Sequence, residues 1–372
     1  MAKIHGPIEL PEQFQFQATN GGSISLTQNS FYLPGGETYS RAGPYYSDVA
    51  IVDLLPGDKI SNMVHNQYKE NRTISVMCCP EDMDVAFNGS IPCYQGPGSA
   101  GFQGYITYAS TEKQGFSQER EIPLPTEIAN STAFYNATYD SNNQEIYFGA
   151  VINEIKSAYV VIDANRLKYK KTIFLDDSAW DVVNLNTAIS KDRRLYIGQQ
   201  NQPNNAFVMC YDDNTDDFID SIPLPSMDDS SITLEGLAID NSLNILYVIV
   251  TYLNQRTLKP IRTVLLFDSG SHALLSQFNV DNNGTCSYPV INQEKQILYM
   301  AIGNSIKVVN LKSQEVINSI PLPIGSGDNI CEISYNIRMN CIVAPASKSD
   351  MPCIYIIYNP EESESTPHQQ NN

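Results

Sequence analysis

The sequence predicts an all-β fold, a seven-bladed β-propeller of four-stranded antiparallel blades closed by the N-terminal strand. Three observations carry this. A strand-and-turn unit recurs seven times, a proline-bearing unit recurs at twice that spacing, and the first residues resemble the piece that the last repeat lacks.

The first unit is an apolar strand that ends in Asp, Asn or Ser. Its copies are 48–53, 104–110, 158–163, 207–212, 264–268, 306–310 and 354–359. Their last residues lie 42 to 57 positions apart, a mean of 51 over the six steps from Asp53 to Asn359. A repeat of that length holds four short strands, the content of one propeller blade. A short polar side chain suits the end of such a strand because it caps its own turn backbone.

The second unit is a polar turn followed by a short strand containing tyrosine, as at Tyr147, Tyr196, Tyr247 and Tyr299. The third closes blades: Ile122-Pro-Leu-Pro125, Ile222-Pro-Leu-Pro225 and Ile320-Pro-Leu-Pro323 stand 100 and 98 residues apart, two blades each time. Proline is excluded from central strands and tolerated at an edge, so this segment ends the outermost strand. After Asn359 only the polar stretch 360–372 follows, so the seventh blade lacks an outer strand. Ile8-Glu-Leu-Pro11 is a variant of the closing unit and can supply it, which removes an exposed edge. The expected organisation is one propeller over 1–359 and a polar, disordered tail over 360–372.

The Leu-Tyr-Val strand, the strand ending in Ile-Asp and the return to Ile-Pro-Leu-Pro resemble the YVTN and NHL-type propeller repeats. At repeat level the likeness covers most of the chain and is closest in blades three to six. It implies the propeller fold and carries no activity with it, because one fold hosts many functions.

Composition narrows the partners. Lys and Arg total 23 against 41 Asp and Glu, a formal charge of −18. Such a chain is repelled by phosphate backbones and anionic headgroups, so the expected partners are a protein or small ligand, cationic in character, with no nucleic acid and no membrane. Neither a signal-peptide core nor a membrane-length apolar run is found, and the eight cysteines show no CxxC spacing. A cytoplasmic, reduced monomer is the expectation.

Two connections between second and third strands read as unusually long, about 28–47 and about 88–103. The first carries Tyr32, Tyr39, Tyr45 and Tyr46 and the second Tyr94 and Phe102. Long ordered loops act as lids or binding surfaces, and Tyr among Gly and Ser gives contact area at low entropic cost. His65 is the histidine expected on this face, beside Asp177 and Trp180 from the approach to blade four. These nine residues form the candidate ligand surface. Asn184, Glu235 and Glu332 read as inner-strand positions facing the channel, where oxygen ligands would hold Ca²⁺. SMP-30-like lactonases use a central metal in this way, which makes a metal-dependent hydrolase the alternative to a non-enzymatic interaction propeller.

Three motifs carry nothing. Gly96–Gly101 fits GxGxxG with no strand–helix unit around it. Asp212–Asp217 is half of an EF-hand loop, with Pro223 where the final Glu belongs, and reads as a charged turn. Cys78-Cys79 reads as two reduced thiols. With four histidines and no nucleophile elbow, acid–base or nucleophilic chemistry has little to work with.

Overall fold

The computed structural model describes residues 2–10, 22–36, 46–54, 59–67, 72–92, 104–114, 116–129, 132–152, 156–175, 187–202, 205–226, 230–280, 286, 289–325, 329–348 and 351–362. These residues form seven antiparallel sheets, and among them the longest α-helix is the single turn Thr126–Ala129. Six of the sheets are blades of four successive strands; the seventh combines strands from both ends of the chain. Blade one comprises Ser23–Ser25, Ser30–Gly36, Tyr46–Asp53 and Lys59–Gln67. Blade two comprises Arg72–Cys78, Val85–Pro92, Ile106–Ser110 and Ser117–Ile122. Blades three to six repeat the order, beginning at Thr132, Thr187, Ser230 and Val290. The ring of seven blades is the fold that the repeat predicts.

Blade seven takes its outer strand from the other end of the chain. Lys3–Glu9 pairs antiparallel with Met351–Tyr358. Ile8 lies opposite Ile354, as Ile122 lies opposite Ile106, Ile222 opposite Val208 and Ile320 opposite Ile306. The N-terminal segment is therefore in register with the closing units of the other blades. Ile122, Ile222 and Ile320 are buried, and each is followed by a proline where the ladder ends. Ile8 is partly buried and followed by Glu9.

Strand alternation gives every blade two apolar faces, and the core is divided among the seams between blades. Seven clusters of buried side chains result, one per seam. Tyr32, Val49 and Ile51 meet Ile74, Met77 and Ala86 between blades one and two. Ring closure is visible in the same terms: Phe31, Ala50 and Val52 of blade one pack with Cys341, Val343 and Ile354 of blade seven.

The turns between first and second and between third and fourth strands gather at one end. Their Asp and Asn side chains accept from backbone N–H groups two or three residues on. Asp163 accepts from Arg166 N at 2.9 Å, Asp212 from Asn214 N at 2.8 Å, and Asn310 from Lys312 N at 2.9 Å. This is the capping role expected of them, and the Asp212 turn is a hairpin turn, not a calcium loop. Further side chains cross every seam at this end. Examples are Gln28 Nε2 to Asp84 (2.7 Å), Tyr139 Oη to Asp82 (2.9 Å) and Arg193 Nη1 to Asn143 (2.7 Å). Asn241 accepts from Lys191 N, Gln296 donates to Asp240, Asn292 donates to Tyr335, and Arg338 donates to Leu26 O. A polar staple therefore lies beneath each apolar seam.

The chain stays on the blade after Tyr358. Ala2 N donates to Glu362 O and Asn318 Nδ2 to Pro360 O, both at 2.9 Å. The Glu361 carboxylate accepts from Tyr299 Oη (2.7 Å), Lys295 Nζ (3.0 Å) and Asn340 Nδ2 (3.0 Å). Burial alone would raise its pKa; the bonds from Tyr299, Asn340 and Lys295 outweigh this and hold it below the usual carboxylate range. The expected tail from 363 onward lies outside the described residues.

Glu361→Ala is expected to destabilise the protein by about 2 kcal/mol at neutral pH, since it removes three hydrogen bonds to a charged group. A depressed carboxylate pKa contributes stability that is present above its unfolded value and lost as pH falls through its folded value. The difference in urea midpoint between variant and parent should therefore shrink in acid. A difference that is constant with pH would remove the ionic part of the argument.

Candidate functional site

The connections between second and third strands, and those from each outer strand to the next blade, open at the end opposite the turns. This is the loop end, where the sequence places its ligand surface. Tyr39, Tyr45, Tyr94, Phe102, Asp177, Trp180 and Asn184 lie outside the described residues. Tyr46 and His65 are described as backbone in blade one, where residue 65 pairs with Asp48 on the neighbouring strand.

Tyr32 is a correction. It lies on the strand Ser30–Gly36 and not in a loop, and its ring is fully buried in the seam between blades one and two. Its hydroxyl points to Thr111 O at 3.4 Å. The strand runs on through Gly35 and Gly36 because Tyr46–Asp53 offers a partner for all seven residues, from Ser30 opposite Asp53 to Gly36 opposite Ser47. The second connection is likewise shorter than expected at its start, since Asn88 lies inside Val85–Pro92.

Sequence reasoning missed the role of the recurring tyrosines. Tyr32, Tyr147, Tyr196 and Tyr299 occupy the second strands of blades one, three, four and six, and each reaches the last turn of the following blade. Tyr196 donates to Ser269 O at 2.5 Å, Tyr299 to Glu361, and Tyr147 sits against Asp213. Burial raises the pKa of all four phenols. They are neutral struts between blades.

The densest charge cluster among the described residues is also structural. Asp213, with no side-chain exposure, meets Arg193 and, at 3.0 Å, Lys171 Nζ. Glu145 accepts from Tyr147 Oη at 2.9 Å and pairs with Lys170. Burial pushes Asp213 up, but the Tyr147 hydroxyl beside it, with Lys171 and Arg193, leaves its pKa below the ordinary value. Every member has a partner across or beside the seam between blades three and four. The cluster sits at the turn end, away from the loop surface.

Of the three metal candidates, two are described. Glu235 is gripped by Arg262, Nε to Oε2 at 2.5 Å and Nη2 to Oε1 at 3.0 Å, and Arg262 is 2 % exposed. A carboxylate held bidentately by a buried guanidinium has one lone pair of each oxygen committed and its charge balanced. Glu332 lies two blades away, in the irregular stretch between Asn329–Ile330 and Ser334–Asn336, and burial pushes its pKa up to about 7. Among the described residues no three His, Cys, Asp or Glu side chains converge as a metal site would require. Cys78 and Cys79 are buried free thiols with pKa values raised first by burial, so no disulfide links them.

No family model matches the chain, and no curated protein sequence matches it significantly. Solved structures do: 1032 chains match in shape, so the architecture is far too widely shared to select an activity. One belongs to the crystal structure of a mitotic checkpoint complex. It is 10 % identical, with a TM-score of 0.60 over 96 % of this chain and 91 % of that one. At that identity the likeness shows the fold alone.

Two outcomes test this site. Arg262→Ala strands Glu235 and is expected to cost about 3 kcal/mol, while the double change with Glu235→Leu recovers much of it; an additive double variant would remove the pairing argument. Glu332 has a folded pKa above its unfolded value of 4.5, so its contribution to stability is fully present below 4.5 and lost as pH rises toward 7. Glu332→Gln should flatten the melting temperature between those pH values. An unchanged profile would show that the carboxyl titrates normally.

Proposed function

We propose that this chain is a non-catalytic interaction propeller whose acidic loop end, rich in tyrosine, receives a basic segment of a protein partner. One observation carries the reading most. Two described clusters that look chemical, at Glu235–Arg262 and at Asp213–Arg193–Lys171, are spent on holding strands and blades together. The chain as a whole carries a net −18, whose field favours a cationic partner and raises its rate of encounter. The structural neighbour in the mitotic checkpoint complex is a component of a multiprotein assembly, which agrees with a partner that is itself a protein.

Such binding is electrostatic in its approach and sensitive to screening. A fluorescent lysine-rich peptide should bind at about 0.05 M salt and weaken at least tenfold at about 0.5 M, whereas a glutamate-rich peptide of equal length should not bind. Anisotropy titrations read both. Absence of binding at low salt would overturn the proposal, and salt-insensitive binding would remove the role of charge.

A further inference from the structure

In each of blades one to six the outer strand slips register by one residue soon after it leaves the turn. The slip sets an extra residue against the third strand and re-aims its side chain out of strict alternation. In blade four the extra residue is Ile219, between the pairs of Phe218 with Tyr211 and Asp220 with Cys210. In blade five it is Leu275 and in blade six Ile317. The same position holds Ser61 in blade one and Lys170 in blade three. The residue before each apolar bulge is apolar too: Phe218, Leu274 and Val316. All six side chains are between 39 % and 54 % exposed. Eleven large apolar side chains are exposed among the described residues, so most of them sit at one repeated place on three successive blades. Scattered exposed apolar residues are ordinary on a protein surface, whereas a repeated set on neighbouring elements marks an interaction site.

The three pairs belong to one surface. His272 Nδ1 of blade five lies 2.9 Å from Asp220 Oδ2 on the outer strand of blade four. Ser276 Oγ, on the outer strand of blade five, donates to Gln314 Oε1 of blade six at 3.0 Å. These bonds hold the outer strands of blades four, five and six side by side, and the pairs form a band across them at the turn end of the rim. Protection of a sheet edge accounts for a bulge but not for the residue in it, since Ser61 and Lys170 occupy the bulges of blades one and three. The fold therefore requires the bulges and leaves their apolar side chains unexplained.

We propose that this band docks a segment of a partner protein whose apolar face is bordered by Lys or Arg. Charge selects that occupant. The stretches 216–220, 271–277 and 312–318 hold Asp216, Asp217, Asp220 and Glu315 against Lys312. Asp217 and Glu315 are exposed and stand directly before Phe218 and Val316. Two copies of this chain joined at the band by a two-fold axis would set the same carboxylates against each other. Anionic lipid headgroups are repelled by them as well. A strand added to one blade edge meets one pair, while a segment lying across the strands meets all three. An amphipathic helix has that form, with its apolar face on the band and basic residues along its borders. The band lies at the end opposite the loop surface, so it does not rest on the reading above.

The test is an anisotropy titration of the full chain against a labelled amphipathic helix of Leu and Lys, about 18 residues long, at about 0.15 M salt. The parent should bind it, and should bind a scrambled peptide of the same composition about tenfold more weakly, because that peptide has no apolar face. The triple variant Ile219→Ser, Leu275→Ser, Ile317→Ser should also lose about tenfold in affinity. These side chains are exposed, so its melting temperature should stay near the parent's; Leu275→Ser alone carries the same test if the triple variant is destabilised. Asp217→Asn with Glu315→Gln leaves the apolar band whole and should weaken binding and flatten its salt dependence. Equal affinity of the parent and the serine variants would overturn the proposal. So would a parent dimer that the triple variant abolishes in sedimentation, which assigns the band to a second copy. Flotation of the parent, but not of the triple variant, with phosphatidylcholine vesicles would overturn it in favour of a lipid surface. The lysine-rich peptide described above has no apolar side chains and should bind the triple variant as it binds the parent, so either proposal can fail without the other.

Discussion

Every blade in this protein is apolar on both faces, and that constraint governs the rest. A four-stranded sheet with two sticky faces cannot exist alone in water. It is stable only when both neighbours are in place, and the ring is the arrangement in which every blade has two. The core is accordingly seven thin layers and not one mass, from the seam that joins Phe31 to Ile354 to the one that joins Tyr299 to Tyr355.

Apolar seams alone would let blades slide, because the hydrophobic effect is non-directional. The polar ring at the turn end sets their angle and height. Tyrosine does this economically: its ring belongs to the seam and its hydroxyl reaches past it, as Tyr196 does to Ser269 O. Charged residues do the same where a tyrosine meets Asp213 or Glu361. Carboxylates engaged in this way, such as Asp213 and Glu361, have depressed pKa values and make poor general acids and bases near neutrality.

The features legible in the sequence are those whose cause is local. A capping Asp or Asn acts on N–H groups two or three residues away, so Asp163 and Asn310 announce their turns from sequence alone. The closing isoleucines are legible because proline beside them forbids further pairing, and Ile8 could be placed in blade seven by its likeness to them. Long-range partnerships are not legible. Glu235 and Arg262 stand 27 residues apart and meet only because two strands of blade five run at a particular register. Nothing near residue 235 marks it as an arginine's partner and not a metal ligand. Tyr32 was misplaced for a related reason: the Gly and Pro among residues 28–47 read as a long connection, while the length of a strand is decided by its neighbour.

The pairing of Lys3–Glu9 with Met351–Tyr358 has a consequence for synthesis. A ribosome makes the second of these strands nearly 350 residues after the first. At about 5–20 residues per second that interval is roughly 20 to 70 seconds. Throughout it, blades one to six can stack in order as they emerge, but the opening strand has no partner and blade one has one bare face. Closure of the ring therefore joins two segments of the chain made far apart in time. The nascent protein must keep its first nine residues soluble and unpaired until then, a demand that their lysine, glutamate, glycine and proline are well suited to meet.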